Sequence, residues 1–459
     1  MSTTFLGGIV FVLVFAGIIL VHELGHFVVA RLMHIDVLEF GFGLPPRILR
    51  LWRNKGKLVI GKQEVVIPFN KDLPFDHRTA IPRAVEATAD EVQGKLVLRS
   101  IKFAAIEDGQ AQPAQAEVQA PAPRIAPKNF QEEDGAIRLS GSLNEASPGT
   151  EFTLNWIPLG GFNLLKGEDN PDLPRGMASA NPLKRILVLL GGAAMNLLTG
   201  VIVYMVLFSQ MGVPDPTRAI IGEVLTGTPA ETAGFQAGDI VLSIDGESIN
   251  SVDQFIATIN AHPGEEVTVA VQRFDVAVDI TVTPEASESD GKGRIGVMLS
   301  NPYRPINSIW ETIPLSLRAT YGFTEQLLAM PGRLLAGTLS PEEAQLAGPR
   351  TIWNLFQQAV QRDTESRAPV TSEQVAGPSY YTLLLIISLT ISVGVLNLMP
   401  IPALDGGRIF MALIEIVMRR RIPAKYQTAI NGIGFIVLVV LLGMFYIKDI
   451  ISPVVITLP

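Results

Sequence analysis

No cysteine occurs anywhere in the 459 residues, which excludes disulfides and leaves the compartment unreadable from thiol usage. Charged side chains are scarce at 17% and hydrophobic ones make up 48%, a balance that leans toward membrane and away from disorder. Positive charge is in deficit: 36 Lys and Arg against 44 Asp and Glu leave a formal charge of -8, which argues against a nucleic-acid partner. Histidine is sparse as well, with five in the chain, yet two of them fall at the end of the first long apolar run. That run lacks a basic head and a small-residue cleavage site. It is therefore expected to stay as a span rather than to be removed as a signal peptide.

Four apolar runs, residues 5–30, 186–209, 380–404 and 427–447, each reach the length of about 20 residues needed to cross a bilayer. Lys and Arg gather after the first (Arg31, Arg47, Arg50, Arg53, Lys55, Lys57), before the second (Lys184, Arg185) and after the third (Arg408, Arg419, Arg420, Arg421, Lys425). Cytoplasmic flanks carry such an excess. The expected protein is thus a multi-pass protein of the cell membrane with residues 31–184 cytoplasmic, and with the N-terminus, residues 210–379 and the C-terminus outside.

The first run ends His22-Glu23-Leu24-Gly25-His26. Ionisable groups in a span are costly, so three at helical spacing need a chemical reason. On a helix His22 and His26 stand one turn apart on one face, which suits two imidazole ligands to one zinc ion, with Glu23 as general base toward water activated by that ion. Catalytic zinc usually takes three protein ligands, and His34, His77 and His262 lie outside the spans or in loops. A carboxylate is the better third candidate. The third run ends Asn397-Leu398-Met399-Pro400-Ile401-Pro402-Ala403-Leu404-Asp405-Gly406-Gly407, where two prolines break the helix. Asp405 is either a cap on the helix that follows or the missing ligand. Asn397 either bonds a neighbouring helix or holds substrate backbone and the developing oxyanion.

Residues 37–53 and 151–163 have strand-like alternation with breakers, and read either as a hairpin-like element near the cytoplasmic membrane face or as connecting loops. Residues 84–135, rich in Ala, Glu, Gln and Pro, suggest a flexible linker, while alternations at 58–69, 95–106 and 136–139 leave room for a small β-structured insert. Residues 218–300 contain five short β-type runs separated by turn signals, and Val252–Asn260 reads as a helix. The pattern Thr228-Pro229-Ala230, Ala233-Gly234, Ala237-Gly238-Asp239-Ile240 and Ile244-Asp245-Gly246 resembles a bacterial PDZ module, a fold that captures extended peptide termini. The resemblance makes Ile295-Gly296-Val297 the receiving loop; a β domain that only spaces or plugs the site is the alternative. Residues 306–335 have helical apolar spacing, suiting an amphipathic helix on the outer membrane face or packed on the PDZ-like unit.

Taken together, His22-Glu23-Leu24-Gly25-His26, Asn397 to Pro402, Leu404-Asp405-Gly406-Gly407 and the PDZ-like unit resemble the site-2 protease family of intramembrane zinc metalloproteases, of the regulator of sigma E protease type. Gly41-Phe42-Gly43 and Leu154 to Gly161 resemble that family's membrane-associated β region, and Asn181-Pro182 to Asn196 its second span. The resemblance assigns His22, His26 and Asp405 to Zn2+, Glu23 to catalysis, and Asn397 with Pro400 and Pro402 to gripping substrate; Leu154 and Asn155 of the β region are expected to contact substrate too. It implies cleavage of a single-span membrane protein, such as an anti-sigma factor or signal-peptide remnant, within or near its transmembrane helix. The layout implied is a first span with the HExxH motif in 1–35; the β region in 36–56 and 150–165; a cytoplasmic insert of unknown role in 57–149; a second span in 184–210; a PDZ-like α+β domain in 214–302; an amphipathic helix in 306–337; a third span in 380–404; the LDG motif and a cytoplasmic connection in 405–425; and a fourth span in 427–448. The insert has no counterpart in the usual short β region, and one PDZ-like unit is visible where relatives often have two. The rival class is a proteolytically inactive scaffold binding peptide termini, with a metal-ion transporter a weaker third reading.

Overall fold

The computed structural model describes residues 3–74, 84–103, 136–168, 170–274, 276–287, 291–338, 348–367 and 379–451. His77 and the Gln110–Pro123 stretch of the expected linker lie outside them. The chain divides into two compact units, residues 1–200 with 320–459, and residues 201–319.

The first unit is built around helix α1, Thr3–Leu32. Among the described residues four helices are long and apolar enough to cross a membrane: Phe5–Leu32 within α1, α2 (Pro182–Met211), α7 (Tyr381–Leu398) and α9 (Ala424–Ile451). At about 1.5 Å per residue α1 outruns the roughly 30 Å hydrocarbon layer, whereas α7, with 18 residues, comes close to its thickness before Pro400 and Pro402 end it. After that break the chain restarts as α8, Asp405–Met418. Helix α6, Pro349–Glu365, packs Trp353 and Phe356 edge-on against Phe11 of α1, at 5.1 and 5.6 Å between ring centres. Buried carboxylates tie its ends. Asp449 of α9 accepts from the Arg350 and Thr351 amides at 2.8 and 3.1 Å, and Asp363 accepts from the Tyr381 and Thr382 amides at 2.9 Å, which satisfies orphan donors at two helix starts.

Strands β1 (Val37–Arg53) and β7 (Glu151–Leu165) each double back, so one pair of strands makes a four-run sheet. Phe40 is paired with both Phe152 and Asn163, and Arg50 with Thr153, giving the order 47–53, 151–155, 39–42, 161–165. Gly43 and Gly160, both at positive φ, sit where the strands fold over. Phe40 and Phe152 pack on Phe27 of α1, holding the sheet to that helix.

Between these strands the chain forms a closed five-stranded barrel in the order β2 (Gly56–Ile60), β3 (Gln63–Ile67), β5 (Lys95–Phe103), β4 (Ala84–Val92), β6 (Ile137–Ser147). Its core takes every second residue, Leu58 and Ile60, Val65 and Ile67, Val85, Ala87 and Ala89, as a pleated strand dictates. Residues 84–92 are therefore strand rather than the expected linker, whereas strand at 95–103 follows the alternation there. The small inward alanines of β4 carry little hydrophobic signal, and its polar outward residues resemble linker composition.

Where the barrel rejoins the sheet, the Lys166 ammonium is wholly buried. It donates to the Ala146 carbonyl at 2.8 Å and lies 3.5 Å from Asp36 Oδ2. Asp36 also accepts from Ser147 at 2.8 Å and pairs with Arg175 at 3.0 Å, which reaches Glu145 at 3.1 Å. Burial pulls the Lys166 pKa below the ordinary lysine value, with Asp36 working against that shift.

The second unit carries a sheet in the order Val276–Val282, Val267–Arg273, Ile240–Ile244, Ala219–Val224, Val297–Ser300, with the short Glu247–Ser248 strand beside the third. Helices α3 (Pro229–Ala233) and α4 (Val252–Ala261) cover it. Phe255 and Ile259 of α4 complete a core with Ile221, Val241, Val269 and Ile280. A groove of about 400 Å³ runs between α4 and the 293–299 segment, lined among others by Phe255, Ile256, Ile295, Gly296, Val297 and Leu299. Gly296 is at φ +80 and a Cβ there would strike the Thr228 side chain, so glycine is required. Helix α5, Thr312–Leu335, follows with large apolar side chains exposed at Leu317, Tyr321, Leu328 and Leu334.

Candidate metal centre

Helical spacing sets His22 and His26 on one face of α1, their Nε2 atoms 3.2 Å apart. Asp405, first residue of α8, brings Oδ2 to 3.0 Å from the one and 3.1 Å from the other. Its approach depends on the broken segment: Ala403 adopts φ +79, and a side chain on Gly406 or Gly407 would strike the backbone of Met399 or Ile401. Among the described residues these three form the one group of side chains able to hold a metal ion.

The donor set fits zinc. Bonds of about 2.0–2.1 Å in a tetrahedron put donor atoms about 3.3 Å apart, close to the triangle observed. His26 adds a chemical argument. Its Nδ1 lies 2.8 Å from the Val188 carbonyl, which only accepts, so Nδ1 carries a proton and, in the neutral ring that ligates a metal, Nε2 bears the lone pair. That lone pair faces the Asp405 carboxylate oxygen, an arrangement that a cation between them satisfies.

Helix α2 closes the other side. Gly25 and Gly191 let α1 and α2 touch backbone to backbone, and a Cβ on Gly192 would lie 2.6 Å from His26 Nε2 and 2.7 Å from His22 Nε2. Asn196, one turn further, is fully buried with Nδ2 3.4 Å from His22 Nδ1. In the sequence Asn196 stands out only as the end of the second span's family-like stretch, with no role attached, and Gly192 not at all. The available signal was an amide inside an apolar run, the same kind of cost that flagged the histidines.

Glu23 is half-buried beside the outer run of the sheet, where Gly161 leaves room: a Cβ there would meet Glu23 at 3.1 Å. Asn163 donates to the Glu23 backbone carbonyl at 3.5 Å. Asn397, near the end of α7, donates to its own helix at Val393 O, 3.1 Å away. Pro400 is exposed and Pro402 half-buried. Leu154 lies between two runs of the sheet, paired with both Phe42 and Leu49, and Asn155 donates to Gly43 O at 2.9 Å inside it. Ile295, Gly296 and Val297 belong to the second unit and line its groove.

Residues 10–60 and 140–441 match the model of peptidase family M50. The zinc metalloprotease RasP of Geobacillus kaustophilus is 26% identical over 96% of this chain and 96% of its own. The regulator of sigma-W protease RasP of Bacillus subtilis is 24% identical over 96% of this chain and 97% of its own. Among solved structures, the PDZ domain of the SdrC-like protein from Listeria monocytogenes matches 18% of this chain and 87% of that one, at 25% identity and a TM-score of 0.17.

Proposed function

The chain belongs to peptidase family M50 and is a membrane-embedded zinc metalloprotease, and from that premise we propose that it cuts a single-span membrane protein, such as an anti-sigma factor or signal-peptide remnant, within or near its transmembrane helix. In this reading His22, His26 and Asp405 hold the zinc. The observation that carries it is the triangle of three donor atoms, 3.0–3.2 Å on a side, at the meeting of an apolar helix and a proline break. Bound zinc supplies Lewis-acid polarisation of the scissile carbonyl and brings the pKa of water toward neutrality.

Glu23 then takes the proton from the attacking water and returns it to the leaving amide nitrogen. Asn397 grips the substrate backbone beside the break at Pro400 and Pro402. A helical substrate hides its carbonyls in its own hydrogen bonds, so it has to be drawn out before attack. Run 161–165, at the edge of the sheet beside α1, pairs among the described residues with a strand on one side only, which leaves its other side for strand addition next to Glu23. The groove at Ile295, Gly296 and Val297 takes an extended peptide terminus on the outer side, admitting substrates already trimmed there. Residues 31–184 are cytoplasmic in this topology.

Replacing Glu23 with Gln in the full chain, reconstituted with a one-span substrate, tests the reading. Zinc is expected to stay at one per chain while cleavage falls by about 100-fold or more. Retained cleavage removes Glu23 from the role, and a wild-type chain without stoichiometric zinc overturns the ligand assignment.

A further inference from the structure

Resting on that ligand assignment, we propose that Asn196 is the positioning residue for His22: its side-chain carbonyl accepts the His22 Nδ1 proton and thereby fixes the tautomer whose Nε2 lone pair faces the metal. Asn196 is wholly buried and its amide faces His22 Nδ1 at 3.4 Å, while its Oδ1 has no hydrogen-bond partner. An Nδ2 donor opposite Nδ1 would require Nδ1 to accept, which puts the proton of a neutral imidazole on Nε2. That proton would point at Asp405 Oδ2, 3.0 Å away, and no lone pair would be left for a cation. Only the tautomer protonated at Nδ1 can ligate through Nε2. The oxygen and nitrogen of an amide exchange places by a half turn about the last side-chain bond, so the hydrogen-bond network decides between them. Turned that way, Oδ1 stands opposite the Nδ1 proton.

Val188 holds His26 by the same logic, through a carbonyl 2.8 Å from Nδ1. Val188, Gly192 and Asn196 follow one another at intervals of one helical turn on α2: an acceptor for one ring, a gap for both, and an acceptor for the other. Thr390 of α7 braces the position from behind, donating to the Asn196 backbone carbonyl at 3.4 Å.

The test compares the full-length wild type with Asn196→Leu and Asn196→Asp in detergent, reading zinc affinity by competition with a chromophoric chelator and ligand geometry from the visible bands of the cobalt-substituted protein. Leu keeps the volume and removes the acceptor; zinc affinity is expected to fall about 10- to 100-fold with altered cobalt bands. Asp keeps an acceptor, and its affinity is expected to equal or exceed that of the wild type. A space-filling role predicts the reverse order, because a buried apolar side chain is tolerated where a buried carboxylate is not. Unchanged affinity in the Leu variant, or a tenfold loss in the Asp variant, overturns the proposal. Should the Leu variant fail to fold, the Asp variant decides alone. Absence of stoichiometric zinc in the wild type would count against the ligand assignment instead.

Discussion

Gly192 leaves the proposed centre little room for change. A methyl group there would press on both imidazole rings, at 2.6 Å from His26 Nε2 and 2.7 Å from His22 Nε2. Gly192→Ala is therefore expected to displace the histidines by a few tenths of an ångström or more. Displacements on the ångström scale cost about 100-fold in rate, so cleavage of a one-span substrate should fall steeply and bound zinc should drop below one per chain. Gly17→Ala, on α1 with nothing within 4 Å of the added methyl, is the control and should match the wild type in both measurements. At this scale the sequence was legible where chemistry was local. His22, Glu23 and His26 announce themselves by spacing within one helix, and Asp405 by following a double proline. Gly192 does not, and Asn196 shows only as an amide inside an apolar run, because the role of each comes from which helix crosses α1 at that height.

Among elements, the folded-over sheet of β1 and β7 is the part whose breakage most clearly separates substrate handling from metal binding. None of its residues contributes to the donor triangle, yet its 161–165 run lies along α1 at Glu23. Leu154→Pro falls between two runs, where proline removes a ladder bond and strands cannot accommodate it. Cleavage is expected to drop at least tenfold, while zinc measured by atomic absorption stays at one per chain; unchanged cleavage would refute strand addition. Alternation and glycines announced strands here, but not that each strand would double back, since that depends on Gly43 and Gly160 taking positive φ under contact with the partner strand and α1. In the barrel, the inward residues of β4 are Val85, Ala87 and Ala89, too small for their period to stand out from Ala-rich sequence. The proline break between α7 and α8, by contrast, is local stereochemistry and was readable directly.

For the whole molecule, the barrel is an autonomous core spliced into the sheet. Its first and last strands pair at Lys57 and Ser147, so the two ends of the insert meet. Such an insertion is removable in principle without disturbing what carries it. A chain in which residues 58–142 are replaced by a short turn, with Glu145, Ala146 and Ser147 kept, is expected to retain one zinc per chain and undiminished cleavage; loss of zinc in a folded, monodisperse variant would show that the barrel shapes the centre. Short apolar alternations left room for a β-structured insert in this stretch, and its closure into a barrel emerges only from pairings between strands as far apart as β2 and β6. The four apolar helices were legible as runs because length and hydropathy alone define them.

The ammonium of Lys166 has one further bearing on how the barrel is carried. Its partners are a backbone carbonyl from β6 and a carboxylate from the segment just after α1. Swinging the barrel outward would strip the lysine of the first while leaving it shut away from water, and a dry, half-matched cation is a steep penalty for a small rotation. The joint is therefore expected to act as a weld, not a hinge, tying the barrel to the root of the helix that bears His22 and His26.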